Sequence, residues 1–167
     1  MSIEVGQKLP SASLQEGNPG NQVDPAQAFG SGKHVVFAVP GAFTPGCDKT
    51  HLPGYIADFQ QIKDKGVDSI ACVAVNDVFV MDAWGKAHDA AGKVRMLADP
   101  NAEFTKAVGL DVNAKALGGT RSWTALARHS RTSSFLRLTV VGCGREGVGG
   151  RGMKLGCAHY CRWGGVG

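Results

Sequence analysis

Apolar and polar positions follow two rhythms along the first two-thirds of the chain and neither thereafter. His34-Val35-Val36-Phe37-Ala38-Val39 is a nearly unbroken apolar run, the pattern of a strand covered on both faces. Tyr55, Ile56, Phe59 and Ile62 recur at helical spacing and stop at Gly66, which predicts an amphipathic helix with a glycine end. Ser69 to Val75 predicts a second buried strand. Val80, Trp84, Ala87 and Ala91 predict a second helix closed by Gly92, and Val94 to Ala98 a third, shorter strand. Phe104, Ala107 and Val108 mark a third helix after Asp99-Pro100, with proline at a tolerated first-turn position. Strands alternating with helices imply an α/β protein with parallel pairing through right-handed crossovers. Ahead of them, Gly17-Asn18-Pro19-Gly20 reads as a turn-rich lead.

Beyond Ser122 the rhythm breaks. Phe135 to Val141 predicts one strand, and from Gly142 glycine is too dense for a helix or regular strand. Composition changes at the same seam. Residues 1–122 hold 11 Lys and Arg against 13 Asp and Glu, a net of −2. Residues 123–167 hold 7 basic residues and one acid, a net of +6, with 10 of the 24 glycines and three of the five cysteines. The expected division is therefore a folded domain over 1–122 and a divergent, poorly ordered basic Gly/Arg/Cys-rich tail over 123–167.

With 167 residues and 43% hydrophobic content, the chain has length for one domain with a proper core. The apolar run from His34 to Phe43 is broken by Pro40 and Gly41 and too short to span a bilayer. Met1-Ser2-Ile3-Glu4 has neither a basic region nor an apolar one, so no secretory signal is expected. A cytoplasmic, reducing compartment and mostly free thiols follow as expectations.

One loop carries chemistry. Reactive groups in α/β sheets collect at the carboxyl ends of strands, and the first long strand runs into Pro40-Gly41-Ala42-Phe43-Thr44-Pro45-Gly46-Cys47 just before a helix. Unpaired amides and the positive end of the helix dipole favour a thiolate at Cys47. Thr44 can bring its hydroxyl to the sulfur, and Pro40 and Pro45 stiffen the loop. Such positions lower a cysteine from about 8.5 to roughly 3.5–7.5. The competing expectation is an inert buried thiol; Cys72, in mid-strand, fits that description better.

Pro40 to Cys47, continued by Lys49-Thr50-His51-Leu52-Pro53-Gly54-Tyr55, resembles the active-site signature of the peroxiredoxins, most closely the type-five, atypical two-cysteine class. Val75-Asn76-Asp77, Ala83 to His88 and Lys93 to Pro100 are similar to that class too, so the resemblance covers residues 3–122. It implies a thioredoxin-like fold, a central, mostly parallel sheet flanked by helices. It further implies a thiol-dependent peroxidase for hydrogen peroxide and alkyl hydroperoxides, serving antioxidant defence and redox homeostasis, with no cofactor. Cys47 would be the peroxidatic cysteine that becomes a sulfenic acid, and Thr44 would bond the peroxide within a loop shaped by Pro40. Amides around Gly46 and Cys47 would hold the developing charge. Thioredoxin or a similar thiol would regenerate the enzyme, and a homodimer is implied. Relatives of this class also occur in mitochondria and peroxisomes.

The departures lie at the end. The class places a catalytic arginine in a Lys-Arg-aromatic stretch; here Arg121-Ser122 is followed by Trp123-Thr124. Arg121 is the first candidate to replace it, with Arg128 the next. The closing hairpin and the Gly-Leu-Thr-Cys resolving motif are also absent, so an atypical glycine-rich tail is expected in the hairpin's place. An out-of-frame or alternatively spliced ending would give such a composition. The alternative function is accordingly an impaired variant that acts as a non-enzymatic thiol or interaction protein. Cys143, 96 residues after Cys47, is the candidate resolving cysteine, although the missing motif weighs toward an incidental residue. Gly142 to Gly147 matches G-x-G-x-x-G with no helix able to follow, a false positive for a dinucleotide site. Cys143, Cys157, His159 and Cys161 fit no compact metal knuckle, and no metal is expected. The basic tail lacks aromatic interleaving, so neither specific nucleic acid nor membrane is an expected partner. His51 and His88 read as packing or hydrogen-bonding residues.

Overall fold

In the computed structural model the described residues are 3, 7–122, 125–129 and 136–139, the last two stretches by their backbone. All three buried strands fall within a residue of the predicted runs: β3 spans His34–Val39, β4 Ser69–Ala74 and β5 Arg95–Ala98. They pair in parallel, with Val36 opposite Ala71 and Val73 opposite Leu97. Ahead of them, β1 (Leu14–Glu16) and β2 (Asn18–Val23) form a hairpin around Gly17, whose φ of 74° suits glycine. β1 then runs antiparallel to β5. The turn-rich lead is thus largely an edge strand.

The sheet is ordered β2-β1-β5-β4-β3-β8-β9. Here β8 is Ala125–His129, antiparallel to β3, and β9 is Leu136–Thr139, antiparallel to β8. Two expectations are corrected. The sheet is mixed rather than mostly parallel, since only β3–β4 and β4–β5 pair in parallel. A C-terminal hairpin is present where a glycine-rich tail was expected to replace it. Ladder bonds use backbone groups that every non-proline residue carries, so the free edge of β3 can be paired despite the compositional seam. A smaller sheet joins β6 (Asp111–Ala114) and β7 (Gly119–Ser122).

Alternation along the central strands divides the core. Val35, Phe37, Val39, Cys72 and Ala74 face one layer with Cys47, Leu52, Ile62, Val78, Met81 and Trp84. Val36, Ala71, Val73 and Leu97 face Leu14, Phe29, Phe104 and Val108 on the other. The first layer holds three helices, α2 (Leu52–Ala57), α3 (Phe59–Asp64) and α4 (Val78–Ala87). The single predicted helix before Gly66 is two, broken at Asp58. α4 is capped by Asp77, whose side chain accepts from the Val80 amide at 2.9 Å. A Cβ at Gly85 would stand 2.7 Å from Met96 Cγ, so glycine lets α4 lie close on β5. Under the other face run α1 (Pro25–Ala28) and α5 (Glu103–Ala107).

Candidate active site

Val39 ends β3, and the chain turns through Pro40–Gly46 into a π-helical turn, Cys47–His51, continuous with α2. Single π turns are often found at functional sites. Four bonds fix the loop, one of them from Thr44 N–H to Gly41 O at 3.4 Å. Ala42 N–H donates to Asn76 Oδ1 at 3.0 Å, the Thr44 hydroxyl donates to Gly41 O at 2.8 Å, and Asp48 N–H donates to Thr44 O at 2.8 Å. Phe43 between them has φ of 58° and is 52% exposed, a left-handed conformation unusual for an aromatic residue.

Cys47 is 3% exposed. Burial pushes its thiol up, more than hydrogen bonds from the Thr44 hydroxyl and the Gly41 and Cys47 amides pull it down, and the Asp48 charge adds to the rise. The sequence expectation of a lowered thiol is corrected accordingly: desolvation outweighs the hydrogen-bond donors around the sulfur. The Thr44 hydroxyl has one proton, and here Gly41 O takes it. Donation to a Cys47 thiolate requires that proton to turn from Gly41 to the sulfur. Gly46, which precedes Cys47, is exposed, and an added Cβ there would meet nothing within 4 Å.

Asp48 follows the cysteine. Its Oδ1 accepts from Trp84 Nε1 at 2.8 Å and from His88 Nε2 at 2.7 Å. His88 first and Trp84 second hold this carboxyl below its usual range. His88 is thus a hydrogen-bonding residue, as expected. His51, one helical turn past Cys47, has its Nδ1 buried without a partner, and burial lowers its basicity. Cys72 is fully buried on β4, its thiol pushed well up by burial and then by the charge of Cys47.

Arg121 sits on β7 and donates to two backbone carbonyls, Val75 O and Leu117 O. Val75 adjoins Asn76, so the guanidinium meets the end of β4 beside the residue that supports the loop. Thr124 and Cys143 lie outside the described residues, as do Cys157, His159, Cys161 and the side chain of Arg128. Among the described residues no group of three or more His, Cys, Asp and Glu side chains is placed to hold a metal. No described helix is long and apolar enough to cross a membrane. Sequence reasoning gave Asp48 no role and attached none to Asn76 or Trp84. The signal available was the spacing of Trp84 and His88, which puts both on one helix face.

Known proteins place this arrangement. Residues 4–130 match the family model described as Redoxin. Peroxiredoxin-2E of Arabidopsis thaliana, a chloroplastic protein, is 42% identical over 128 residues, covering 72% of this chain and 55% of the relative. Peroxiredoxin-2B of the same plant is 41% identical over 124 residues, covering 72% of this chain and 76% of the relative. The chain spans little more than half the length of peroxiredoxin-2E and of the rice peroxiredoxin-2E-2. Reduced Prx3 of Vibrio vulnificus in complex with hydrogen peroxide superposes with a TM-score of 0.76 at 44% identity, covering 84% of this chain and 89% of that one. Peroxiredoxin 5 of Alvinella pompejana gives 0.75 at 36% identity, covering 83% and 89%. The chain belongs to the redoxin family, among the peroxiredoxins.

Proposed function

We propose that the chain is a thiol peroxidase of the type-five class, acting on hydrogen peroxide and alkyl hydroperoxides. The observation that carries this reading is the Cys47 sulfur, beside the Thr44 hydroxyl and the Gly41 and Cys47 amides, with open space next to Gly46. The thiolate attacks one peroxide oxygen, the O–O bond breaks, and Cys47 becomes a sulfenic acid while water or an alcohol leaves. Donors that hold a thiolate can also stabilise charge on the departing oxygen. A thiol reductant, thioredoxin or one like it, then returns the sulfur to the thiol in a reducing compartment such as the cytoplasm. Pro40 shapes the loop, Gly46 leaves room for the substrate, and Arg121 braces the neighbouring strand end. A homodimer fits the exposed apolar residues Phe43, Phe79 and Leu117.

Peroxide consumption by the full chain with thioredoxin, beside Cys47→Ser, tests the proposal. Turnover that is lost in Cys47→Ser supports it, and equal consumption by both proteins overturns it. Cys143→Ser in the same assay separates two routes of regeneration. Unchanged turnover means the external thiol attacks the sulfenic acid directly, and lost turnover makes Cys143 the resolving residue.

A further inference from the structure

The carboxylate next to Cys47 is fastened to a helix 36 residues further on. Trp84 of α4 and His88, the residue that caps it, meet one oxygen, Asp48 Oδ1, at 2.8 and 2.7 Å. Trp84 is fully buried and so an immobile anchor, and His88 stands edge-on to its ring at 86°. Asp48 itself lies in the π-helical turn, a backbone form rarer and shorter-lived in sequence than the α-helix. The side-chain link therefore adds a restraint where the backbone pattern is unusual.

The restraint has a consequence for the sulfur. At 3% exposure, the Cys47 sulfur is closed to a thiol carried on a protein or a bulky molecule. The turn has to move for such a reaction. We infer that Asp48, Trp84 and His88 form a bolt of positioning residues that holds the Cys47 turn in its buried place and sets how readily the sulfur is released to large thiols. The inference rests on the peroxidase reading for its purpose, but its geometry and its test do not depend on turnover.

The test is differential labelling of reduced full-length protein, with modification of Cys47 followed by peptide mass spectrometry. Iodoacetamide is the small probe and a polyethylene-glycol maleimide the bulky one. The ratio of their rates cancels the fraction of thiolate, so altered charge beside the sulfur does not register. Loss of one hydrogen bond to a charged group, converted at tenfold per 1.4 kcal/mol, predicts a rise in the bulky-to-small ratio of about tenfold or more in Asp48→Ala and His88→Ala. Asp48→Asn keeps an Oδ1 acceptor and His88→Gln keeps an Nε2 donor, so both should stay near the wild-type ratio. An unchanged ratio in Asp48→Ala and His88→Ala overturns the bolt. So does an equal rise in Asp48→Ala and Asp48→Asn, which would assign the effect to charge alone. Failure of the peroxidase reading would show instead as absent peroxide consumption with the labelling pattern intact.

Discussion

Asn76 Oδ1 accepts the Ala42 amide at 3.0 Å, joining the loop after β3 to the loop after β4 across 34 residues. A Cβ on Gly41 would lie 3.5 Å from the same oxygen, so the two loops are in close contact there. Asn76→Ala strands a half-buried amide, and such losses cost about 1–3 kcal/mol. The expected outcome is a lower urea midpoint together with slower Cys47 oxidation in stopped flow. Asn76→Asp, which keeps the acceptor, should restore most of both. A midpoint unmoved in Asn76→Ala would mean that water satisfies the Ala42 amide.

Burial of two thiols gives stability a defined pH dependence. Folding raises both Cys47 and Cys72 above their ordinary value of 9.0, in each case through desolvation first. The folded state therefore binds more protons than the unfolded state above that pH, and stability falls as pH rises. Their contribution is fully present below about pH 9 and is lost through the alkaline range beyond it. Urea melts between pH 7 and 10 should show this decline, and Cys72→Ala should flatten it. Equal slopes for the two proteins would remove Cys72 from the account.

Sequence made the centre of this fold legible because burial on both faces writes a continuous apolar run. β3 and β4 are such strands, and their bounds fall within a residue of the expected ones. β2 is exposed along most of its length and reads NPGNQV, so no apolar period announces it. β8 pairs through backbone against β3, and its sequence ALARH holds no β-branched residue. The loop from Pro40 to Cys47 was legible for its punctuation by proline and glycine. The direction of the Cys47 shift was not, because a helix start is read locally while burial depends on a core whose members, such as Phe37 and Trp84, come from other elements. Asp48 was missed for the same reason, since its partners, Trp84 and His88, lie 36 and 40 residues further on, in α4 and at its C-terminal cap.

A buried polar chain holds the second helix layer to β7. Asp99 is fully buried and accepts from Thr105 N at 2.8 Å and Thr105 Oγ1 at 2.6 Å, and Thr105 Oγ1 lies 3.2 Å from Ser122 Oγ. Thr105→Val keeps the shape and removes the hydroxyl, leaving both Asp99 and Ser122 short of a partner. The expected loss is about 1–3 kcal/mol, read as a lower melting temperature, with Thr105→Ser recovering most of it. A Thr105→Val protein as stable as the parent would show that solvent reaches this chain.

Arg121, spent on Val75 O and Leu117 O, is poorly disposed to serve the reacting oxygen as well. The residues that flank position 124 bear on where another cation belongs. Ser122 closes β7 in contact with α5, and Ala125 opens β8 opposite Ala38, two residues before Pro40. Ala125 and Ala38 thus stand near the end of the sheet from which the Cys47 loop departs. Burial raises the Cys47 thiol in this chain, and a nearby arginine would favour the thiolate and stabilise charge on the leaving oxygen. One such donor is typically worth about 10²–10³-fold in rate. Thr124→Arg should therefore accelerate Cys47 oxidation by hydrogen peroxide in stopped flow and lower the pH at which Cys47 is alkylated. Equal, fast oxidation in both proteins would mean that Thr44 and the loop amides already suffice, or that Arg128 supplies the charge. Arg128→Ala separates those two: the oxidation rate holds in the first case and falls in the second.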